Sequence, residues 1–251
     1  MMDSNETVEV LSPAKLTLSL RITGQREDGY HFIEAEMVTI DLADSMVFRK
    51  GRRGVTYQGA YPIQPPSEQD LVMKALNFLD EDLAVTVEKR IPPQGGLGGG
   101  SGNAAAVLRY FQYRDAEAAV KLGADVPFNL NGGRALVRGV GEVVEPLQYQ
   151  EKAFTLLTPT VGCSTADVYR KWDELGGPAG PNGNDLELAA LSVCPELSVW
   201  RDELEKHTGV KPKLAGSGST WFVEGHFPGE GFITAQTLQS FAEESAQDHR
   251  T

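Results

Sequence analysis

The residues best suited to chemistry lie in the run PPQGGLGGGSGN, residues 92–103. Gly95, Gly96, Gly98, Gly99, Gly100 and Gly102 put six glycines within eight residues. Residues 83–91, LAVTVEKRI, alternate as a strand before the run, and an apolar helix through Ala104, Val107, Leu108 and Phe111 follows it. Glycines at such a junction let backbone N–H groups approach an anion, and the helix behind them adds unpaired donors and a positive dipole end. A loosened turn is the bland reading. So many glycines cost much backbone entropy, which favours a phosphate cradle built from Pro93, Gly95, Gly96, Leu97, Gly98, Gly99, Gly100, Ser101, Gly102 and Asn103. Ser101 or Asn103 is the expected helix N-cap, and the Ser101 hydroxyl is placed to reach phosphate or a divalent cation.

Two common glycine signatures fail here. No lysine follows the glycines, as a Walker loop requires, and G-x-G-x-x-G breaks at Ser101 or at Asn103. Asp125 lies in a Gly-Ala-Asp-Val-Pro turn, where it reads either as a rigidly presented carboxylate or as a plain turn or N-cap residue. Lys15 opens a strand, where a lone lysine is usually a solvated one. Tyr30 and His31 stand in a polar Gly/Asp-rich connection. Gly216, Ser217 and Gly218 form a second glycine turn before a strand.

Beyond the glycine run, further motifs occur in order: SPAKL (12–16), TGQREDGYH (23–31), LGADVPF (122–128), GVGE (139–142), STADVY (164–169), NDLE (184–187) and GSGS (216–219). Together they resemble the GHMP kinases, which phosphorylate small-molecule alcohols. The resemblance implies a two-lobed α+β fold with an ATP-binding domain over 1–152, of ribosomal-protein-S5-like type, and a ferredoxin-like domain over 153–251. It implies Asp125 and Lys15 as the catalytic pair, and ATP bound by the glycine run with Mg²⁺ but no protein metal cluster. Its long glycine run and Tyr30-His31 point to the branch whose acceptor is 4-diphosphocytidyl-2-C-methyl-D-erythritol (CDP-ME), phosphorylated on its 2-hydroxyl. Thr17, Tyr30, His31, Thr165, Tyr169, Gly216, Ser217 and Gly218 then face the acceptor, with Tyr30 stacking on cytosine, His31 meeting its edge and Tyr169 closing the opposite face. A mevalonate- or homoserine-type kinase and a nucleotide-binding relative without turnover are the alternatives. The chain departs from the usual pattern at Thr17 (Asn elsewhere), at Gly102 (Ser elsewhere), and in the 21 residues between Asn103 and Asp125.

The elements that must hold these groups read as α+β. Strands are expected over 16–23, 36–44, 46–50, 55–59 and 83–91, and a helix through Leu71, Val72, Ala75, Leu76 and Leu79 with Ser67 as its cap. Strands over 134–139, 143–147, 153–159 and 220–225 interleave with helices over 116–122, 164–175, 184–191 and 195–207. A last helix is expected near 234–246, with a frayed tail. The first half reads β-rich and the second helix-rich, with the division near 150–160.

Composition removes other classes. The formal net charge is −12, which repels phosphate backbones and anionic bilayers, so neither nucleic acid nor membrane is an expected partner. No apolar run approaches the ~18 residues of a spanning helix. The acidic N-terminus lacks the features of a signal or transit peptide. Cys163 and Cys194 make no disulfide framework. The expectation is a cytoplasmic enzyme, monomeric or weakly dimeric.

Overall fold

The computed structural model describes residues 7–61, 65–66 and 68–241. Two sheets organise it. The first has six strands: β1 (Thr7–Gln25), β2 (His31–Lys50), β3 (Gly54–Gly59), β4 (Leu83–Lys89), β5 (Arg134–Gly139) and β6 (Val143–Pro146). The second, of four strands, runs β10-β7-β9-β8, with β7 (Ala153–Leu157), β8 (Lys213–Leu214), β9 (Trp221–Glu224) and β10 (Ile233–Gln236). Helices α1 (Leu71–Leu79), α2 (Gly99–Tyr110), α3 (Ala116–Ala119), α4 (Val126–Asn131), α5 (Thr165–Glu174), α6 (Glu187–Val193) and α7 (Leu197–Thr208) complete the α+β arrangement. No helix of the described residues is long and apolar enough to cross a membrane.

β1 and β2 are longer than the alternation over 16–23 and 36–44 suggests, because they pair with each other nearly end to end. Residues 36–44 and 46–50 form one strand, whose near half pairs with β5 and whose far half pairs with β4. β1 tolerates Pro13 because its register shifts there. Its segment from Ser12 to Thr17 is buried on both faces. That double coverage is what drives Lys15 into the interior.

α1 starts after Asp70, not after Ser67, which lies outside the described residues. The Asp70 carboxylate accepts from the N–H of Val72 (2.9 Å) and Met73 (3.1 Å) and from the Tyr57 hydroxyl (3.0 Å). Burial and this carboxylate raise the Tyr57 pKa, so the phenol stays a donor. Asp70→Ala removes the cap and orphans a half-buried hydroxyl; it lowers stability by about 2 kcal/mol, seen as a fall in the urea midpoint at unchanged slope.

The expected last helix is corrected over its first residues. Ile233–Gln236 is the edge strand β10, paired with β7 in register Ile233 to Leu156, and residues 242–251 lie outside the described residues. The β-branched Ile233 and Thr234 take strand form with an open sheet edge beside them, and Ala235 is buried there. Apolar side chains from β1, β2, the loop after β4 and the second sheet then fuse the sheets, among them Leu16, Ile40, Ile91, Leu97, Phe154 and Phe222. The glycine run is anchored in that seam by Ile91 and Leu97, both buried.

Candidate active site

A cleft of about 990 Å³ opens where the sheets meet. The glycine run forms its floor. α2 begins at Gly99, two residues before Ser101, and its N-cap is Gly98 with φ 67° and no side-chain capping bond. The first-turn N–H groups of Gly99, Gly100 and Ser101 therefore have no intrahelical partner and, among the described residues, no side-chain cap. That is the donor set an anion needs, and the residues fit a triphosphate. Gly96, at φ 74°, packs against the second glycine turn: a Cβ there would lie 2.8 Å from the Gly218 carbonyl oxygen. At Gly98 it would lie 2.7 Å from Lys15 Cγ. Gly102 is explained by α2 crossing β1, since a Cβ there would come within 3.0 Å of Ser12 Oγ and 3.2 Å of the Pro13 carbonyl.

Across the floor, Lys15 Nζ stands 3.3 Å from Asp125 Oδ2 and donates to Thr17 Oγ1 at 3.1 Å. Asp125 occupies the N-cap position of α4, yet its side chain makes no capping bond. The carboxylate is turned to Lys15 and the cleft instead, which removes the plain-cap reading. Its backbone is held by Asn129 Nδ2 donating to the Asp125 carbonyl (2.7 Å). Gly141 packs so closely on Ala124 that no side chain fits between them, and this is the physical use of the 139–142 motif. The short 104–124 segment leaves room only for the single turn α3 before Asp125.

The far wall is aromatic. His31 stacks on Tyr169 with ring centres 5.0 Å apart and planes at 29°, and meets Trp172 edge-on at 5.6 Å. Its Nε2 lies 2.8 Å from Asp173 Oδ1. Tyr169 thus packs on His31 itself. Tyr30 stands at the rim, 63% exposed, with the Arg26 guanidinium 5.2 Å from its ring centre. Burial raises the Tyr169 pKa, helped by the Asp125 charge, so the phenol remains a donor. Thr165 Oγ1 pairs with Ser217 Oγ at 3.0 Å. Asn184 Nδ2 donates to the carbonyls of Leu214 (2.9 Å) and Gly216 (2.7 Å), so the 184–187 motif props the second glycine turn. Gly216 lies over Lys15 and Thr17, and Gly218 over Leu214.

Three groups escaped sequence reasoning. Trp172 and Asp173 follow Tyr169 at i+3 and i+4 on α5, the spacing that puts them on its face. Lys89 is the third. In β4 the buried positions are Leu83, Val85, Val87 and Lys89, so the alternation placed a lysine where an apolar residue belongs. Asn103, expected at the phosphates, turns its amide to Asp44 and Lys89 instead. Among the described residues no group of three His, Cys, Asp or Glu could hold a metal ion. Of the carboxylates lining the cleft, Asp28 pairs with Arg26, Asp125 with Lys15 and Asp173 with His31. Burial pushes the Cys163 thiol up to about 11, which leaves it a packing group and no nucleophile.

A glycine cradle at a helix start, faced by a Lys–Asp pair in a cleft between two sheets, defines a small-molecule kinase of the GHMP class. Residues 70–133 match the family model described as GHMP kinases N terminal domain. The 4-diphosphocytidyl-2-C-methyl-D-erythritol kinase of Thermoanaerobacter sp. (strain X514) is 33% identical over 248 residues, covering 85% of this chain and 86% of that protein. The protein of the same name from Polaromonas naphthalenivorans (strain CJ2) is 32% identical, covering 86% and 85%. A crystal structure of 4-(cytidine 5'-diphospho)-2C-methyl-D-erythritol kinase aligns with TM-score 0.71 at 29% identity, over 92% of this chain and 99% of that one. An L. major mevalonate kinase structure, at TM-score 0.63 and 16% identity, shares the fold alone. The chain belongs to the 4-diphosphocytidyl-2-C-methyl-D-erythritol kinase family of the GHMP kinases.

Proposed function

We propose that this chain transfers the γ-phosphoryl group of ATP to the 2-hydroxyl of CDP-ME, within non-mevalonate isoprenoid precursor synthesis. The observation that carries the chemistry is the uncapped Asp125 carboxylate 3.3 Å from the buried Lys15 ammonium. Asp125 orients the acceptor hydroxyl and takes its proton, while Lys15 steadies the oxygen as charge develops on it. The first-turn N–H groups of Gly99, Gly100 and Ser101 hold the triphosphate. Mg²⁺, when bound, supplies charge neutralisation on the phosphates, and the Ser101 hydroxyl is the protein oxygen available to it. The Tyr30 ring and the wall of His31, Tyr169 and Trp172 suit a flat heterocycle, and a small aliphatic acceptor needs no such wall. Thr17, Thr165 and the turn of Gly216, Ser217 and Gly218 bound the acceptor between the two. Domains over 1–152 and 153–251, a cytoplasmic location and a monomer or weak homodimer belong to the same reading.

The test is ADP release from Mg-ATP with CDP-ME, mevalonate or homoserine as acceptor. Turnover with CDP-ME alone is the expected result. Turnover with mevalonate or homoserine instead would refute the cytidine assignment of the aromatic wall. ATP binding without any turnover would refute the kinase reading.

A further inference from the structure

We propose that Asp44 is the positioning residue of the glycine run, a single buried carboxylate that holds both of its ends. Asp44 is fully buried in β2. Its Oδ1 accepts from the N–H of Arg90 (2.8 Å) and Ile91 (2.9 Å), immediately before the run. Its Oδ2 accepts from Asn103 Nδ2 (3.0 Å), the last residue of the run, and from Lys89 Nζ. Lys89 Nζ also donates to Asn103 Oδ1 at 3.2 Å, which closes a triangle of three side chains. The ends of the run thus meet at one group, and residues 92–102 span the gap between them.

A buried carboxylate is costly unless every acceptor site is used, and here four donors converge on it. Lys89 also cancels its charge, so a triphosphate on the other side of the glycines meets no net repulsion from below. The clamp reaches the cradle directly: Lys89 Nζ would lie 3.1 Å from a Cβ on Gly99, the first residue of α2. A shift of Asp44 therefore moves the N–H groups that face the cleft. The acceptor wall of Tyr30, His31 and Tyr169 makes none of these contacts, so the effect falls on one substrate.

The proposal rests on the cleft taking ATP, and its first test needs no nucleotide. In hydrogen exchange on the free protein, the Arg90 and Ile91 amides exchange about 100-fold or more slower than those of 95–100, because the clamp is complete before ligand arrives. Equal exchange across 90–100 overturns it. The second test is Asp44→Asn, which turns a donor toward Lys89 and Asn103, both donors already. It weakens binding of a non-hydrolysable ATP analogue about tenfold or more, while KM for CDP-ME stays within about threefold. Adding Lys89→Gln supplies an acceptor for the new amide and a donor for Asn103, and restores analogue affinity to within about threefold of the original protein. Three results count against the clamp: unchanged analogue affinity in a folded Asp44→Asn protein, parallel loss for both substrates, or no recovery in the double variant. The last would assign the effect to the Lys89 charge. Absence of CDP-ME turnover in the unaltered protein, with the exchange pattern intact, would refute the function and leave the clamp standing.

Discussion

Asp125→Ala lowers kcat by about 10³-fold, near the middle of the range for loss of a general base, and leaves the affinity for ATP nearly unchanged. The separation of the two effects follows from geometry. The Asp125 side chain makes no capping bond to α4, and the backbone around it is held by Asn129 through the carbonyl group. The turn therefore survives the loss of the carboxylate, and the phosphate cradle on α2 keeps its donors. Lys15 fares worse. Its ammonium, whose side chain is only 7% exposed, is left with the Thr17 hydroxyl as its acceptor, so stability falls by about 1–3 kcal/mol. Adding Lys15→Met removes the stranded charge and restores part of that stability with no return of activity. Steady-state ADP release, analogue binding and urea unfolding on the same preparations separate these terms. Residual activity within tenfold of the parent would take Asp125 out of the reaction.

Gly98→Ala is expected to disable the site from the other side. A single methyl group meets two objections at this position. The backbone sits at φ 67°, where an L side chain costs about 1–2 kcal/mol. The new Cβ would also stand 2.7 Å from Lys15 Cγ and 3.2 Å from its Cε, and overpacking of this kind costs about 1–3 kcal/mol. Stability drops by about 2–5 kcal/mol if neither side yields. If Lys15 yields, its ammonium leaves Asp125, and a displacement near 1 Å costs about 100-fold in turnover. Gly100→Ala is the control for stability. Its nearest neighbour to an added Cβ is Leu71 Cδ1 at 3.7 Å, so the methyl group fits within α2 and unfolding is unchanged or slightly favoured against. A Gly98→Ala protein with both stability and kcat intact would mean that the close approach of the cradle to Lys15 has no functional weight.

Much of this molecule was legible in its residues because the signals are local. A strand shows as period two, a helix as an apolar stripe, and an anion cradle as glycines at a helix start; each is written within about ten neighbouring residues. The run at 95–102, strand β4, helices α1 and α5, and the chemistry of Asp125 and Lys15 as residue types were all readable that way. The resemblance carried by the glycine run and seven further ordered motifs added the family, its acceptor and the pairing of Lys15 with Asp125.

Other features depended on which segments meet. Strand form at 233–236 needs the open edge that β7 offers; Ile233 and Thr234 favour it, but four residues are too few to show a period. The start of α2 at Gly99 follows from Gly98 packing on Lys15, not from the better capping residues Ser101 and Asn103. His31 finds Asp173 142 residues away, and Lys89 finds Asp44 45 residues away. Each partner alone reads as an ordinary polar residue. Residue types and local periodicity determined the elements and the chemistry available to them. Only the closure of the two sheets on each other decided which charges share a buried space, because a polar group's partner there is set by topology and desolvation and not by its place along the chain.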